Sequence, residues 1–471
     1  MPEAVWGLAD LAHHTVLIVG VGREGQAISE VLQSASSPPE MLAIDGGREG
    51  EDSAQFRARW GGRIPLWIPL DEAASVPPEI ARATLAVVSP GIAPTSWLHR
   101  WVSALGIPLT SSSALFVADH HQSMVGVTGS KGKSTTTTLI HQLLKASGEK
   151  VSLGGNMGIP LQGLDPQDRQ VVELSSYQCH YLRVSPDVVV LSALFPEHLD
   201  WHGDTAAYFG AKLSLVSHNP RIVVANGDDP ILRAELTKRY PDLAVEWVGE
   251  GCHWHLEVEG GDTWLCHGSD RLFNTRDSAL LGVHNHRNML LAIAGANATG
   301  ALARTAIAPV LTAFEGLAHR LEKIEDPTGL VFINDSLATN PHAAAAALVA
   351  CSTPGMVWLV GGFDRGVSYQ VLIDEVLRST PRHIVGLPGS GADLVGLFRA
   401  ALSEAGLTDQ VSLATATSML DAVTQARSLA APGDYVLLSP GAPSFGIYRD
   451  YQHRADDFRS AITLTQPKDT L

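Results

Sequence analysis

The sequence predicts an α/β protein of three domains. Three observations lead there. A chain of 471 residues is too long for one ordinary core. Short apolar strands alternate with helical patterns along most of it, which implies parallel sheets covered on both faces. Several strands end in glycine-rich or polar corners, where open α/β sheets hold ligands.

Composition fits a globular chain, with 45% hydrophobic and 17% charged residues. A net charge of −16 with no Lys/Arg run excludes a nonspecific nucleic-acid binder, so any anionic ligand must be held by local sites. The opening MPEAVWGLADLAHH has no basic segment followed by an apolar one, and no stretch of 18 apolar residues follows, which predicts a cytoplasmic protein without membrane contact. The four cysteines, Cys179, Cys252, Cys266 and Cys351, form no C-x-x-C pair and read as buried thiols.

The first block runs from the strand Thr15–Val19 to LAVVSPGIA at 85–93. Directly after its first strand comes Gly20-Val-Gly22-Arg23-Glu24-Gly25, with Asp45 some twenty residues on. This spacing fits a nucleotide-binding turn with an acid for a ribose hydroxyl, and a nicotinamide oxidoreductase is one reading of it. The same fold serving another nucleotide, or a purely structural turn, are the others.

The second block opens at Ser123, where the strand MVGVTG meets a Gly/Ser/Lys loop and then the helical pattern TTTTLIHQLLKASG. Gly126-Val-Thr-Gly129-Ser130-Lys131-Gly132-Lys133-Ser134-Thr135 is a phosphate cradle in that setting. Glycines let backbone N–H groups approach phosphate oxygens, Lys133 supplies a cation, and the Ser134 or Thr135 hydroxyl can reach Mg²⁺. Glu173, at the end of the next strand pattern, is either a Mg²⁺ ligand beside that loop or a solvated strand-end acid. His198, in PEHLD just past DVVVLSAL, either ligates a metal, positions a substrate carboxylate or is a satisfied, partly buried histidine. Lys212 falls on a helical stretch, where a lone lysine normally lies on a solvated face. The same caution covers Asn285 in HNHRN and Arg320 in AHRLE.

Between Glu246 and Leu272 the texture changes to polar/apolar alternation with interleaved tryptophans, which predicts a small antiparallel appendage of no evident chemistry. The third block starts near Ala301 and carries the strand patterns at 330–335, 356–362, 383–389 and 435–441. Asp335 follows the first of them, placed for a ribose or adenine contact.

Taken in order, TGSKGKST, LGGNMGIP, ELSSYQ, PEHLDWHG, the lysine of GAKLSL, HNHRN, HRLE and INDS resemble the Mur ligase family from about residue 15 to 460. The resemblance implies a Rossmann-like N-terminal domain (1–120) for a UDP-linked substrate, a central P-loop domain (121–302) for ATP and a Rossmann-like C-terminal domain (303–471) for the amino acid. It implies that Gly129–Thr135 bind ATP, with Asn285 on the adenine and Arg320 and Asp335 on the γ-phosphate and ribose. Ser134 and Glu173 would hold one Mg²⁺, and His198 and Lys212 a second, Lys212 as a carbamate, which reverses its surface reading. Gly22, Arg23, Glu24, Asp45 and Asn156 would hold the UDP substrate, displacing the nicotinamide.

The stretch from GVGREG to VVSPGIA and the length look most like the glutamate-adding members, acting on UDP-N-acetylmuramoyl-L-alanine through an acyl phosphate. Thr339, Arg365, Ser439 and Phe445 would then line the amino-acid pocket. D-glutamate members usually carry a lysine where this chain has Leu337 and another where it has Arg365, and read Ser-Pro-Ala-x-Ala-Ser where it has Ser439-Pro-Gly-Ala-Pro-Ser444. An altered pocket beside unaltered ATP machinery, with Lys131 in the loop, implies L-glutamate as acceptor, with D-glutamate as the alternative.

Overall fold

The computed structural model describes residues 4–47, 49–157, 159–280, 282–364 and 366–467. Their strands form three sheets. The first is wholly parallel, in the spatial order Leu66–Trp67, Glu40–Ile44, Thr15–Val19, Leu85–Val88, Leu109–Thr110. Its first strand is apolar on both sides because both faces are covered: Val16 and Ile18 pack with Ile28, Leu32 and Phe56, while Leu17 and Val19 pack with Leu98 and Val102. Chain order reverses direction beside Thr15–Val19, so Gly20–Gly25 emerges at the switch point of the sheet.

The second sheet has nine strands. Val245–Val248, Ile222–Asn226, Val188–Leu191, Met124–Thr128, Arg169–Glu173 and Val151–Gly155 lie side by side in parallel. The antiparallel appendage expected from the tryptophan-bearing segment is there, as Trp254–Glu259, Asp262–His267 and Asp270–Asn274. It extends the second sheet, joined through the pair Val248 and Trp254. The helix Lys133–Ala146 follows the second sheet's Met124–Thr128 strand and buries Leu139, Ile140, Leu143 and Leu144.

The third sheet runs Glu322–Glu325, Val331–Asn334, Tyr435–Leu438, Val357–Val360, His383–Gly386, Ser412–Thr415, with only the first strand antiparallel. The strands Val331–Asn334, Val357–Val360, His383–Gly386 and Tyr435–Leu438 stop one to three residues short of their sequence patterns, because the trailing residues, mostly Gly, Pro and Ser, leave the ladder to form the corners. The chain divides into two compact units. One runs to Asp277 and takes in His286–Leu311; the other takes Ser278–Asn285 and the chain from Thr312 onward. Within the first unit, the segments connecting the strands tie the first two sheets together: Trp201 Nε1 donates to Pro90 O at 3.0 Å, Gln162 Nε2 to Ser112 O at 3.1 Å, and His99 pairs with Tyr181 OH at 2.7 Å. No helix of the described residues is long and apolar enough to cross a membrane.

Candidate functional site: the Gly129–Thr135 loop and its neighbours

Thr128 ends a central strand, and the next seven residues form the cradle that opens the helix Lys133–Ala146. Two glycines are needed for its shape. Gly129 has φ +151°, and a Cβ there would meet Ser192 Oγ at 2.1 Å; Gly132 has φ +86°, and its Cβ would meet Asn288 Oδ1 at 2.4 Å. The loop is braced from the neighbouring strand's end: Ser192 Oγ donates to Lys131 O at 2.6 Å, Ser130 N to Ala193 O at 2.6 Å, and Ser130 Oγ lies 2.9 Å from Tyr208 OH. The first-turn N–H groups of the helix thus meet a glycine-shaped hollow, the arrangement that takes phosphate.

Cations and acids gather on this loop. Lys133 Nζ donates to Gly129 O at 2.9 Å and Ser130 O at 3.1 Å. Lys212, on the helix Thr205–Leu213, is only 3% exposed, and its Nζ donates to the same Gly129 O at 2.7 Å. Burial, with the Lys133 ammonium nearby, lowers the Lys212 amine from 10.5 to about 7. A solvated face is therefore excluded for it.

Glu173 ends the adjacent strand, paired in register with Val127, and is 1% exposed. Asn156 Nδ2 donates to its Oε1 at 2.8 Å, whereas Oε2 is buried with no partner among the described residues. A buried carboxylate oxygen without a donor is costly unless something completes it. Ser134 is buried at the start of the helix. A hydroxyl and a carboxylate are the hard oxygen donors that suit Mg²⁺ held against nucleotide phosphates, so these residues fit the cation.

His198 lies in the left-handed region at φ +55°, heading the short helix Leu199–His202. Its ring meets Tyr177 edge-on at 5.2 Å, and partial burial lowers its pKa against the pull of Glu197, which favours the neutral, ligand-competent imidazole. Glu197 pairs with Lys131 at 3.1 Å. Trp201, three residues on, is the residue bonded to Pro90, and Ser89 Oγ beside it donates to Gly20 O at 2.9 Å. The segment that presents His198 is thereby anchored to the turn of the first sheet.

In that turn, Gly20 has φ +85°, and a Cβ on Gly25 would meet Gly20 O at 2.0 Å, which is why the helix Arg23–Ser34 can start so close to the strand. Gly22 caps this helix; Arg23 is exposed, and Glu24 accepts from Ser112 Oγ at 2.8 Å. Asp45 directly follows the neighbouring strand Glu40–Ile44 and accepts from Ser53 Oγ at 2.6 Å. Asn156 lies apart from this group, on Glu173 in the second sheet.

The second unit brings together Asp335, Ser439, His319 and Thr339. Ser439 Oγ donates to Asp335 Oδ2 at 2.7 Å, Leu321 N to Asp335 Oδ1 at 3.3 Å, Leu337 N to His319 O at 3.1 Å and Thr339 N to Leu337 O at 2.9 Å. Arg320 lies in this turn, flanked by His319 at φ +63° and Leu321 at φ +45°. Ser439 is fully buried, so its hydroxyl fixes Asp335 and presents no surface of its own. Phe445 is half exposed, edge-on to Phe363 at 6.5 Å, and Asn285 is buried near the start of the helix Val283–Ala298. Arg365 lies outside the described residues.

Sequence reasoning missed Ser192, Tyr208 and Arg454. Ser192 directly follows the strand Val188–Leu191, close to where Glu173 ends its own, a signal within reach. Arg454 is 1% exposed and donates to Ser336 Oγ, Ser336 O and Ala442 O at 2.9–3.1 Å, holding two corners of the third sheet together. Nothing in its helical context, YQHRADDF, marks it as buried.

Comparison with known proteins shows the family. The Mur ligase middle domain matches residues 127–296, and the Mur ligase, glutamate ligase domain matches residues 319–441. The UDP-N-acetylmuramoyl-L-alanine–L-glutamate ligase of Micromonospora sp. is 41% identical over 466 residues, covering 97% of this chain and 98% of its own. Its counterpart in Salinispora tropica is 39% identical, covering 97% and 99%, and that of Xanthomonas euvesicatoria pv. vesicatoria 36%, covering 96% and 95%. Among solved structures, MurF from Acinetobacter baumannii has a TM-score of 0.58 at 19% identity, covering 98% of this chain and 100% of its own. UDP-N-acetylmuramate-alanine ligase MurC from Thermotoga maritima has a TM-score of 0.57 at 17% identity, covering 96% and 100%. These structures share the fold. With both family domains present and relatives of 36–41% identity along nearly their whole length, the chain belongs to the Mur ligase family of ATP-dependent ligases.

Proposed function

We propose that this ligase joins L-glutamate to UDP-N-acetylmuramoyl-L-alanine in the cytoplasm, as a step of peptidoglycan precursor synthesis. The γ-phosphoryl group of ATP passes to the alanyl carboxylate, the glutamate amine attacks the resulting acyl phosphate, and phosphate leaves. The observation that carries the activating step is the meeting of Lys133, Lys212 and the unpartnered Glu173 oxygen around one phosphate cradle. Two cations held there would supply charge neutralisation as the phosphoryl group moves. In this reading Ser134 and Glu173 hold the first, and His198 and a carbamylated Lys212 the second.

The lowered amine supports carbamylation, because CO₂ adds only to an unprotonated nitrogen: an N–C bond forms and a proton leaves to solvent. The division at about residues 120 and 302 assigns the UDP substrate to the first sheet, through Gly22, Arg23, Glu24 and Asp45, with Asn156 reaching it from the second. The third sheet takes glutamate, through Thr339, Arg365 and Phe445. The L-enantiomer is favoured by the names of relatives aligned end to end and by Leu337. The nicotinamide reading of Gly20–Gly25 leaves the central cradle unused.

ADP release tests the proposal. It should require both UDP-N-acetylmuramoyl-L-alanine and glutamate, with product forming in step with ADP; hydrolysis at full rate without the acceptor would contradict it.

A further inference from the structure

The Trp254–Glu259 and Asp262–His267 hairpin has no part in the chemistry above, yet it gathers side chains of a different kind. His255 and Cys266 are direct cross-strand partners, and Glu257 is two residues along from His255, so all three project from one face. Their ligand atoms, an imidazole nitrogen, a carboxylate oxygen and a thiol sulfur, lie within 4.8 Å of one another. A tetrahedral zinc ion bonded at about 2.0–2.3 Å spaces its ligands roughly 3.3–3.8 Å apart, a closing movement that side-chain rotation supplies. We propose that His255, Glu257 and Cys266 form a binding site for a zinc-class transition metal on the outer hairpin, separate from the ATP site.

The local bonding fits a cation at this place. The Cys266 thiol donates to Glu257 Oε2 at 3.5 Å, so a metal would replace a hydrogen already shared by two of its ligands, releasing that proton to solvent. Arg271 does not block it. Its Nη2 holds Glu257 Oε1 at 2.6 Å and Glu259 Oε2 at 2.5 Å, and its guanidinium lies over the Trp264 ring at 5.4 Å. Only the weaker contact, Nε to Glu257 Oε2 at 3.2 Å, is in competition. Arg271 then orients the carboxylate from behind, as the outer partners of metal ligands do. Thiolate, Glu257 and Glu259 carry three negative charges against one on Arg271, leaving two to be balanced by a divalent ion. Sulfur and imidazole select zinc, cobalt or copper over Mg²⁺ and Ca²⁺.

Titration of the full chain with Co²⁺, in excess Mg²⁺, tests this. One equivalent should bind with an intense near-ultraviolet thiolate-to-cobalt band, quenched by Zn²⁺. Cys266→Ser should abolish the band, Cys252→Ser should keep it, and His255→Ala should weaken binding at least about tenfold while leaving ligation in Mg²⁺ unchanged. No band in the unaltered protein, or a band that survives Cys266→Ser, would overturn the site. Should Cys266→Ser fail to fold, His255→Ala decides, and unchanged Co²⁺ affinity there overturns it equally.

Discussion

Lys133→Ala is expected to lower ligation at least about a hundredfold, the effect of losing one fixed charge-stabilising donor at a transferring group. The ammonium lies against the loop carbonyls of Gly129 and Ser130, at the mouth of the glycine-shaped hollow, so it faces the place where phosphoryl charge develops. Because the loop is braced separately through Ser130, Ser192 and Tyr208, truncating the lysine should leave the fold intact. Steady-state turnover with circular dichroism checks this. Near-normal turnover in a folded variant would remove the loop from the reaction.

Lys212→Ala is expected to be inactive, and partly restored by millimolar short-chain carboxylates that fill the space left behind. Lys212 is buried against Gly129 O rather than solvent, and a buried ammonium beside Lys133 is poorly placed to serve as a lysine. Conversion to a carbamate replaces that repulsion with an anion near two cations. With the amine at about 7, its neutral form is available at and above that pH and disappears below it. Activity in CO₂-depleted buffer should therefore fall as pH drops through 7 and recover with added bicarbonate. The stability sign is opposite to that of a favourable ion pair. The folded pKa lies below the ordinary 10.5, so the cost of burying charge is full below about pH 7 and fades as pH rises toward 10.5. Lys212→Met should raise the melting temperature of the metal-free protein more at pH 6 than at pH 10. An unmodified lysine by mass measurement, with no carboxylate rescue, would contradict the carbamate.

Strand existence and the phosphate cradle were legible because both rest on local signals: apolar runs between Gly/Pro corners, and glycines whose left-handed φ no other residue adopts easily. Burial of single polar residues was not. The helix Thr205–Leu213 shows an unremarkable lysine until its packing on the second sheet encloses Lys212 with Tyr208 and Cys179. The partner of Asn156 is a strand away in space but seventeen residues away in sequence, and Ser439 finds Asp335 across 104. Such pairings depend on strand order, and periodicity carries no information about order. The appendage was legible as antiparallel by its alternation, yet its seam with the second sheet rests on one residue pair, Val248 with Trp254, too small a feature to leave a pattern.

Under the proposed function, acceptor choice is expected to turn on Leu337. Two residues along the chain from Asp335, whose carboxylate accepts from Ser439 and Leu321, its backbone N–H donates to His319 O. In this reading an apolar group at 337 offers no cation to a glutamate carboxylate, and inverting the α-carbon with the amine held in place exchanges the directions of the carboxylates. A pocket built for one arrangement leaves polar groups unpaired with the other, and discrimination of roughly 10⁴–10⁵ becomes accessible. The direct measurement is kcat/KM with UDP-N-acetylmuramoyl-L-alanine, ATP and each glutamate enantiomer in turn. L-glutamate should be preferred at least about a hundredfold, a floor well under that range; equal use of the two, or a preference for D-glutamate, would contradict the account.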